Sequence, residues 1–168
     1  MGWLKKEKAL PLGLEQVLEE HQGILQKVAF LYRDTAEDRK DLVQEMTYQV
    51  CRSFPRFRQE SQVSTWMYRI ALNTAMSSLR KKRPGTVPLQ AEQLTISDQE
   101  DTEKKERMLQ LQQAISQLND ADKSVIMLFL EDMPYREIGE ILGLSENGVG
   151  VRIHRIKNRL KQLMHGAE

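Results

Sequence analysis

The sequence predicts an all-α protein: two small helical domains joined by a flexible linker, the C-terminal one a helix-turn-helix. Three observations carry this expectation. Apolar residues recur at helical spacing through most of the 168 residues. No segment shows strand-like alternation of useful length. Between Pro84 and about Ser97 the helical pattern decays into proline and polar residues, which divides the chain near its middle.

The first helix follows from Leu14, Val17, Leu18, Leu25, Val28, Ala29 and Tyr32, which fall on one face. Thr35 is placed to cap a second helix, with Asp38 three residues on, and its stripe is Val43, Met46, Val50 and Phe54. Pro55 ends that helix, because a residue before proline avoids the α region. Ser64 is a candidate cap for a third helix carrying Trp66, Met67, Ile70, Ala71 and Leu79, closed by Pro84-Gly85. The linker is expected to turn helical at Met108, Leu111 and Ile115. Either Asn119 or Asp120 can then cap the strongly apolar segment Val125 to Leu130. Two short helices follow around Gly143.

Composition narrows the function. With 40% apolar and 29% charged residues the chain can form packed cores. Its longest apolar run is the six residues Val125 to Leu130, far short of the roughly 20 that span a bilayer. No apolar segment follows Lys5, Lys6 and Lys8, so a secretory signal is not expected and the cytoplasm is the expected compartment. Cys51 is the single cysteine, and the three histidines lie far apart, so neither a disulfide nor a metal cluster is expected. The net charge of +1 hides two carboxylate-free stretches, residues 62–91 and 147–167, each carrying five Lys/Arg. These fit either a polyanion touched at two places or two solvated helix faces.

The segment from Pro134 to Met164 is the most informative. Pro134 suits a helical first turn, and Ile138, Ile141 and Leu142 supply a buried side. Gly143 permits the left-handed turn that ends a helix, and Ser145 can cap the next one. Val149, Ile153, Ile156, Leu160 and Leu163 then form a buried seam. Gly139 lets two helices approach closely, so the order is that of a helix-turn-helix. Gly148, Arg152, Arg155 and Arg159 form a stripe about 100° from the seam, with Val151 and Asn158 further round. Guanidinium groups on such a face fit the major groove, although an amphipathic helix with snorkelling basic residues shares the pattern.

In the N-terminal half, the second helix carries Asp38, Asp41, Gln44 and Glu45 beside its apolar seam. This is a surface for a partner helix or a solvated acidic first turn. Around the third helix, Phe54, Phe57, Trp66 and Tyr68 mix with Arg52, Arg56, Arg58 and Arg69. Aromatic faces beside cations can stack the bases of a single strand, and the loop Gln59 to Gln62 can receive an extruded base. Trp66 fits the apolar seam as well as it fits such a surface. Arg80 to Arg83 form either a phosphate clamp or a solvated helix end.

These residues together resemble the extracytoplasmic-function group of sigma-70-type RNA polymerase sigma factors. The likeness lies in Ala36-Glu37-Asp38 with Asp41 to Glu45, in Phe57-Arg58 with Ser64 to Asn73, in Ser78 to Lys82, and in Tyr135 to Arg155. The family pattern has a Lys where Gly150 stands and a Thr near Gly148. The resemblance implies a non-enzymatic factor that binds core polymerase and directs promoter-specific initiation. It implies sigma domain two at 10–84, a linker at 85–107 and sigma domain four at 108–165. Polymerase docking would fall to Asp38, Asp41, Leu42, Gln44 and Glu45. The −10 element would be opened and held by Phe57, Arg58, Ser61, Ser64, Thr65, Trp66, Arg69, Asn73, Arg80, Lys81 and Lys82. The −35 duplex would be read by Ser145, Glu146, Asn147, Gly148, Val151, Arg152, Arg155 and Arg159. The implied partners are the clamp helices of the largest polymerase subunit, promoter DNA and an anti-sigma factor, with no cofactor, metal or small-molecule substrate.

Two other classes share parts of the pattern. A helix-turn-helix repressor usually dimerises, and no long dimer heptad is present. A recombinase-like enzyme needs an activated nucleophile or a carboxylate cluster, and neither Ser64 nor Tyr68 has an evident His or Asp partner in the sequence.

Overall fold

The computed structural model describes residues 13–82 and 102–166, with Arg80, Lys81 and Lys82 described as backbone only. Residues 85–101 of the expected linker lie outside the described residues. The regular elements among the described residues are all helices, without strands, and the chain divides into two compact units between Arg83 and Pro84.

The first unit is a three-helix bundle of α1 (Leu14–Tyr32), α2 (Ala36–Ser53) and α3 (Val63–Lys82), each packed on the other two. Val17, Leu25 and Val28 of α1 meet Leu42, Met46 and Val50 of α2 and Met67, Ala71 and Leu72 of α3 in a core that excludes water. Burying each of the larger aliphatic side chains contributes about 1.5–3 kcal/mol. Thr35 caps α2 as expected, its Oγ1 accepting from the Asp38 N–H at 3.1 Å.

Several expectations are corrected here. The α2 seam begins at Leu42, not Val43, because Leu42, Met46 and Val50 keep four-residue spacing along the buried side. Phe54 stays in the α region (φ −56°, ψ −40°) despite preceding Pro55. The chain continues as a single 3₁₀ turn, Phe54–Arg56, whose first positions do not need the proline N–H. Helix α3 starts at Val63, so Ser64 sits inside its first turn and does not cap it.

Two arginines, both overlooked in the sequence reading, close the bundle. Arg33 is buried just after α1. Its Nη1 donates to the Tyr32 carbonyl at 2.9 Å and its Nη2 to Ser78 Oγ on α3 at 2.8 Å. Arg39 reaches back from α2 to donate to the carbonyls of Arg33 and Asp34, both at 3.0 Å, with its guanidinium over the Phe30 ring. The α1–α2 connection is thus held by charge-assisted bonds to backbone oxygens.

The second unit contains α4 (Thr102–Ser116), α5 (Asp120–Leu130), α6 (Tyr135–Leu142) and α7 (Glu146–His165), with α7 packed on the other three. Helix α4 begins six residues before Met108, so residues 102–107, expected as linker, are helical. The i,i+4 pair Glu103–Arg107 supports that turn at 2.6 Å. Asn119 is the cap of α5, its Oδ1 accepting from the Asp122 N–H at 2.8 Å. Pro134 occupies the cap position of α6, one residue earlier than expected. The apolar run of α5 is buried from Val125 to Leu128, and the α7 seam is buried at Val149, Ile153, Ile156 and Leu160.

Candidate nucleic-acid interface

The turn between α6 and α7 sets the position of the second unit's charged face. Gly143 ends α6 in the left-handed region (φ 70°, ψ 35°), where its lack of a Cβ avoids strain. The N–H groups of Gly143 and Leu144 both donate to the Gly139 carbonyl. A Cβ on Gly139 would run into the Leu144 carbonyl oxygen, so this glycine makes room for the returning turn, not for the second helix as the sequence reading expected. Ser145 then caps α7, its Oγ accepting from the Gly148 N–H at 3.0 Å.

From that cap, α7 presents its outer side to solvent. Glu146, Asn147, Val151, Arg155 and Arg159 are exposed, and Gly148 and Arg152 are half-buried. Lys157, on the same helix, stands with its Nζ 4.5 Å from the centre of the Phe129 ring on α5. It is thereby turned toward the unit and away from the arginine stripe. His154 lies beside Asn158, with Nε2 3.4 Å from Nδ2. The arginine stripe and the apolar seam occupy different sides of one helix, which is the arrangement needed to lay cations along a groove while the seam holds the helix to its unit.

In the first unit the aromatic residues separate into two groups. The Phe57 and Trp66 rings stack at 4.6 Å, and Phe54 meets Trp66 edge-on at 6.3 Å. All three rings remain half-buried, so Trp66 is neither core nor free but is braced by two phenylalanines. Arg69 and Asn73 are exposed and lie within about 60° of Trp66 around α3. Tyr68 and Thr65 do not share this face, since both are buried in the bundle. For Thr65 this corrects its placement among strand-contacting residues. Its periodicity partners are Tyr68 and Leu72, which point inward. Arg58 is exposed and Ser61 and Ser64 are half-buried, at and beyond a loop in which Gln59 takes a positive φ of 57°. The side chains of Arg80, Lys81 and Lys82 lie outside the described residues.

On α2, Asp41, Gln44 and Glu45 are exposed on a common face and Asp38 is half-buried. Leu42 is not on that face; it is 1% exposed and belongs to the core, one helical step inward. Tyr48, which the sequence reading missed, is 61% exposed on the same side as Asp41 and Glu45. Its signal was available: it lies three residues after Glu45 and off the Leu42–Met46–Val50 seam. Among the described residues no group of His, Cys, Asp and Glu is arranged to hold a metal ion, and no helix is long and apolar enough to cross a membrane.

Comparison with known proteins places these two units in sequence families. Residues 17–84 match Sigma-70 region 2, and residues 108–160 match Sigma-70, region 4. The chain is 31% identical over 144 residues to the RNA polymerase sigma factor YlaC of Bacillus subtilis, covering 80% of this chain and 83% of that protein. It is 28% identical over 174 residues to the ECF RNA polymerase sigma factor SigW of the same organism, covering 89% and 93%. Its fold is similar to that of the sigma factor RpoE in a complex with the anti-sigma factor NepR from Bartonella quintana. The TM-score is 0.69 at 20% identity, over 90% of this chain and 96% of that one.

Proposed function

Since this chain belongs to the extracytoplasmic-function group of sigma-70 RNA polymerase sigma factors, and is therefore a promoter-specific transcription initiation factor, we propose how its residues divide that work. Residues 10–84 act as sigma domain two, 108–165 as sigma domain four, and the intervening segment as a tether. The outer face of α2, with Asp38, Asp41, Gln44 and Glu45, docks on the clamp helices of core polymerase. Leu42 supports that face from the core without touching the partner.

The Phe57–Trp66 stack, with Arg58, Arg69 and Asn73, holds the opened −10 strand. Base–aromatic stacking contributes about 1–3 kcal/mol per base, comparable to the roughly 1.4 kcal/mol lost per unstacked step. The basic end of α3, Arg80 to Lys82, supplies positive charge for the DNA phosphates. Asn147, Val151, Arg152, Arg155 and Arg159 of α7 meet the −35 duplex, with Ser145 and Gly148 forming its capped first turn and Glu146 at its rim. The protein acts in the cytoplasm, performs no catalysis itself, and is held inactive by an anti-sigma factor, as RpoE is found bound to NepR.

The observation that carries the reading is the outward arginine face of α7 set by the Gly139–Gly143 turn, in a chain whose other unit exposes Arg69 and Asn73 beside the half-buried Trp66. Reconstitution with core polymerase on a library of genomic fragments tests it. Promoter-dependent transcripts that vanish without the protein are expected. Their absence on every fragment would overturn it. An autonomous repressor, in contrast, would bind DNA without retaining core polymerase in a pull-down.

A further inference from the structure

Val151 is the exposed large apolar side chain of α7, and neither the core nor the phosphate backbone explains it. The buried seam Val149, Ile153, Ile156 and Leu160 centres roughly 170° from Val151 at about 100° per residue. The valine therefore points almost directly away from its own unit, and it is 55% exposed. Its neighbours on that side are Asn147, Arg155 and Asn158, with Arg152 and Arg159 both further round beyond Arg155, within the carboxylate-free stretch from Asn147 to Ala167. A surface of that charge faces a polyanion. An apolar group in the middle of it has one natural counterpart on a DNA duplex, the thymine C5-methyl in the major groove.

The backbone favours the close approach that so short a side chain needs. Gly148 lies one turn before Val151 on the same side and projects nothing beyond the helix surface. Gly150 is covered by the Tyr135 ring, so it too adds nothing toward the groove. We propose that Val151 determines −35 specificity by packing against a thymine methyl, with Arg155 beside it and Arg152 further round on the same side fixing the helix on the duplex. This rests on the reading of α7 given above and names what that helix selects.

The test uses holoenzyme assembled from the full chain and its cognate core polymerase, on a promoter that it selects from a library randomised across the −35 element. Each thymine of that element is replaced singly by deoxyuridine, which lacks only the methyl group. One replacement is expected to weaken binding about fourfold, the change that ~0.8 kcal/mol makes at 1.4 kcal/mol per tenfold. Val151→Ala, which removes both γ-methyls, should bind the thymine and deoxyuridine templates equally, and Val151→Thr, which keeps one γ-methyl, should retain the difference. If every replacement is neutral for the wild type while the promoter is still selected, the valine is not a reader and the α7 assignment survives. If the sensitivity persists in Val151→Ala, another group reads the methyl and the proposal falls. If no −35 sequence is enriched at all, the assignment of α7 falls with it.

Discussion

Alanine in place of Gly150 should strengthen α7, whereas the same change at Gly139 should disturb the turn that aims it. Both glycines lie inside helices, where glycine costs about 1 kcal/mol relative to alanine. At Gly150 a Cβ would rest 3.5 Å from Tyr135 Cε2, an ordinary contact, so the whole propensity gain is available. At Gly139 the Cβ would meet the Leu144 backbone oxygen, which has no flexible side chain to swing aside. Moving Leu144 strains the two N–H bonds to the Gly139 carbonyl, each contributing about 1 kcal/mol, and displaces the Ser145 cap. Overpacking of this kind costs about 1–3 kcal/mol net. Hydrogen exchange of α6 and α7 peptides in the full chain reads both effects locally. At 1.4 kcal/mol per tenfold, Gly150→Ala should slow exchange about fivefold, and Gly139→Ala should speed it by about five- to a hundredfold. If the two variants shift exchange in the same direction, close approach of Leu144 is not what requires Gly139.

Four further outcomes are expected. Ser78→Ala leaves a donor of the buried Arg33 guanidinium unpaired and should destabilise the first unit by about 1–3 kcal/mol in denaturant titrations, with exchange in the second unit unchanged. Asn119→Ala removes the α5 cap and should cost about 1 kcal/mol, read as faster exchange in α5 alone. The double reversal Asp41→Lys with Glu45→Lys should weaken core polymerase binding at least tenfold by setting like charges against the partner, while thermal unfolding stays within a degree or two. Arg155→Ala should weaken −35 duplex binding and lower the slope of log affinity against log salt by about 1, and an unchanged slope would mean that this guanidinium meets no phosphate.

Much of the architecture was legible because helices in small domains announce themselves by period. The α7 seam, the Gly143 turn and the Thr35 and Ser145 caps each depend on residues within one turn of each other, so local spacing suffices. The errors fall where side chains share ambiguous positions. Leu42 and Val43 lie about 100° apart on the helix and bracket Met46 and Val50, and only the direction of the neighbouring helices decides that Leu42 enters the core. Thr65, Trp66 and Tyr68 all fit some helical stripe, yet the packing of α1 and α2 takes Thr65 and Tyr68 inward and leaves Trp66 against Phe57. The early start of α4 was hidden because its first turn is charged, without the apolar pattern that reveals a helix.

By itself the sequence determined the helical class, the two-part organisation, the capped turn and the basic character of α7, since these follow from backbone preference and residue order. Tertiary structure alone decided that Arg33 would be buried against Ser78, that Gly139 answers to the Leu144 carbonyl, and that Leu42 enters the core. Each of those is a relation between segments whose mutual orientation comes from packing, and packing is a property of the assembled helices, not of any one stretch of chain.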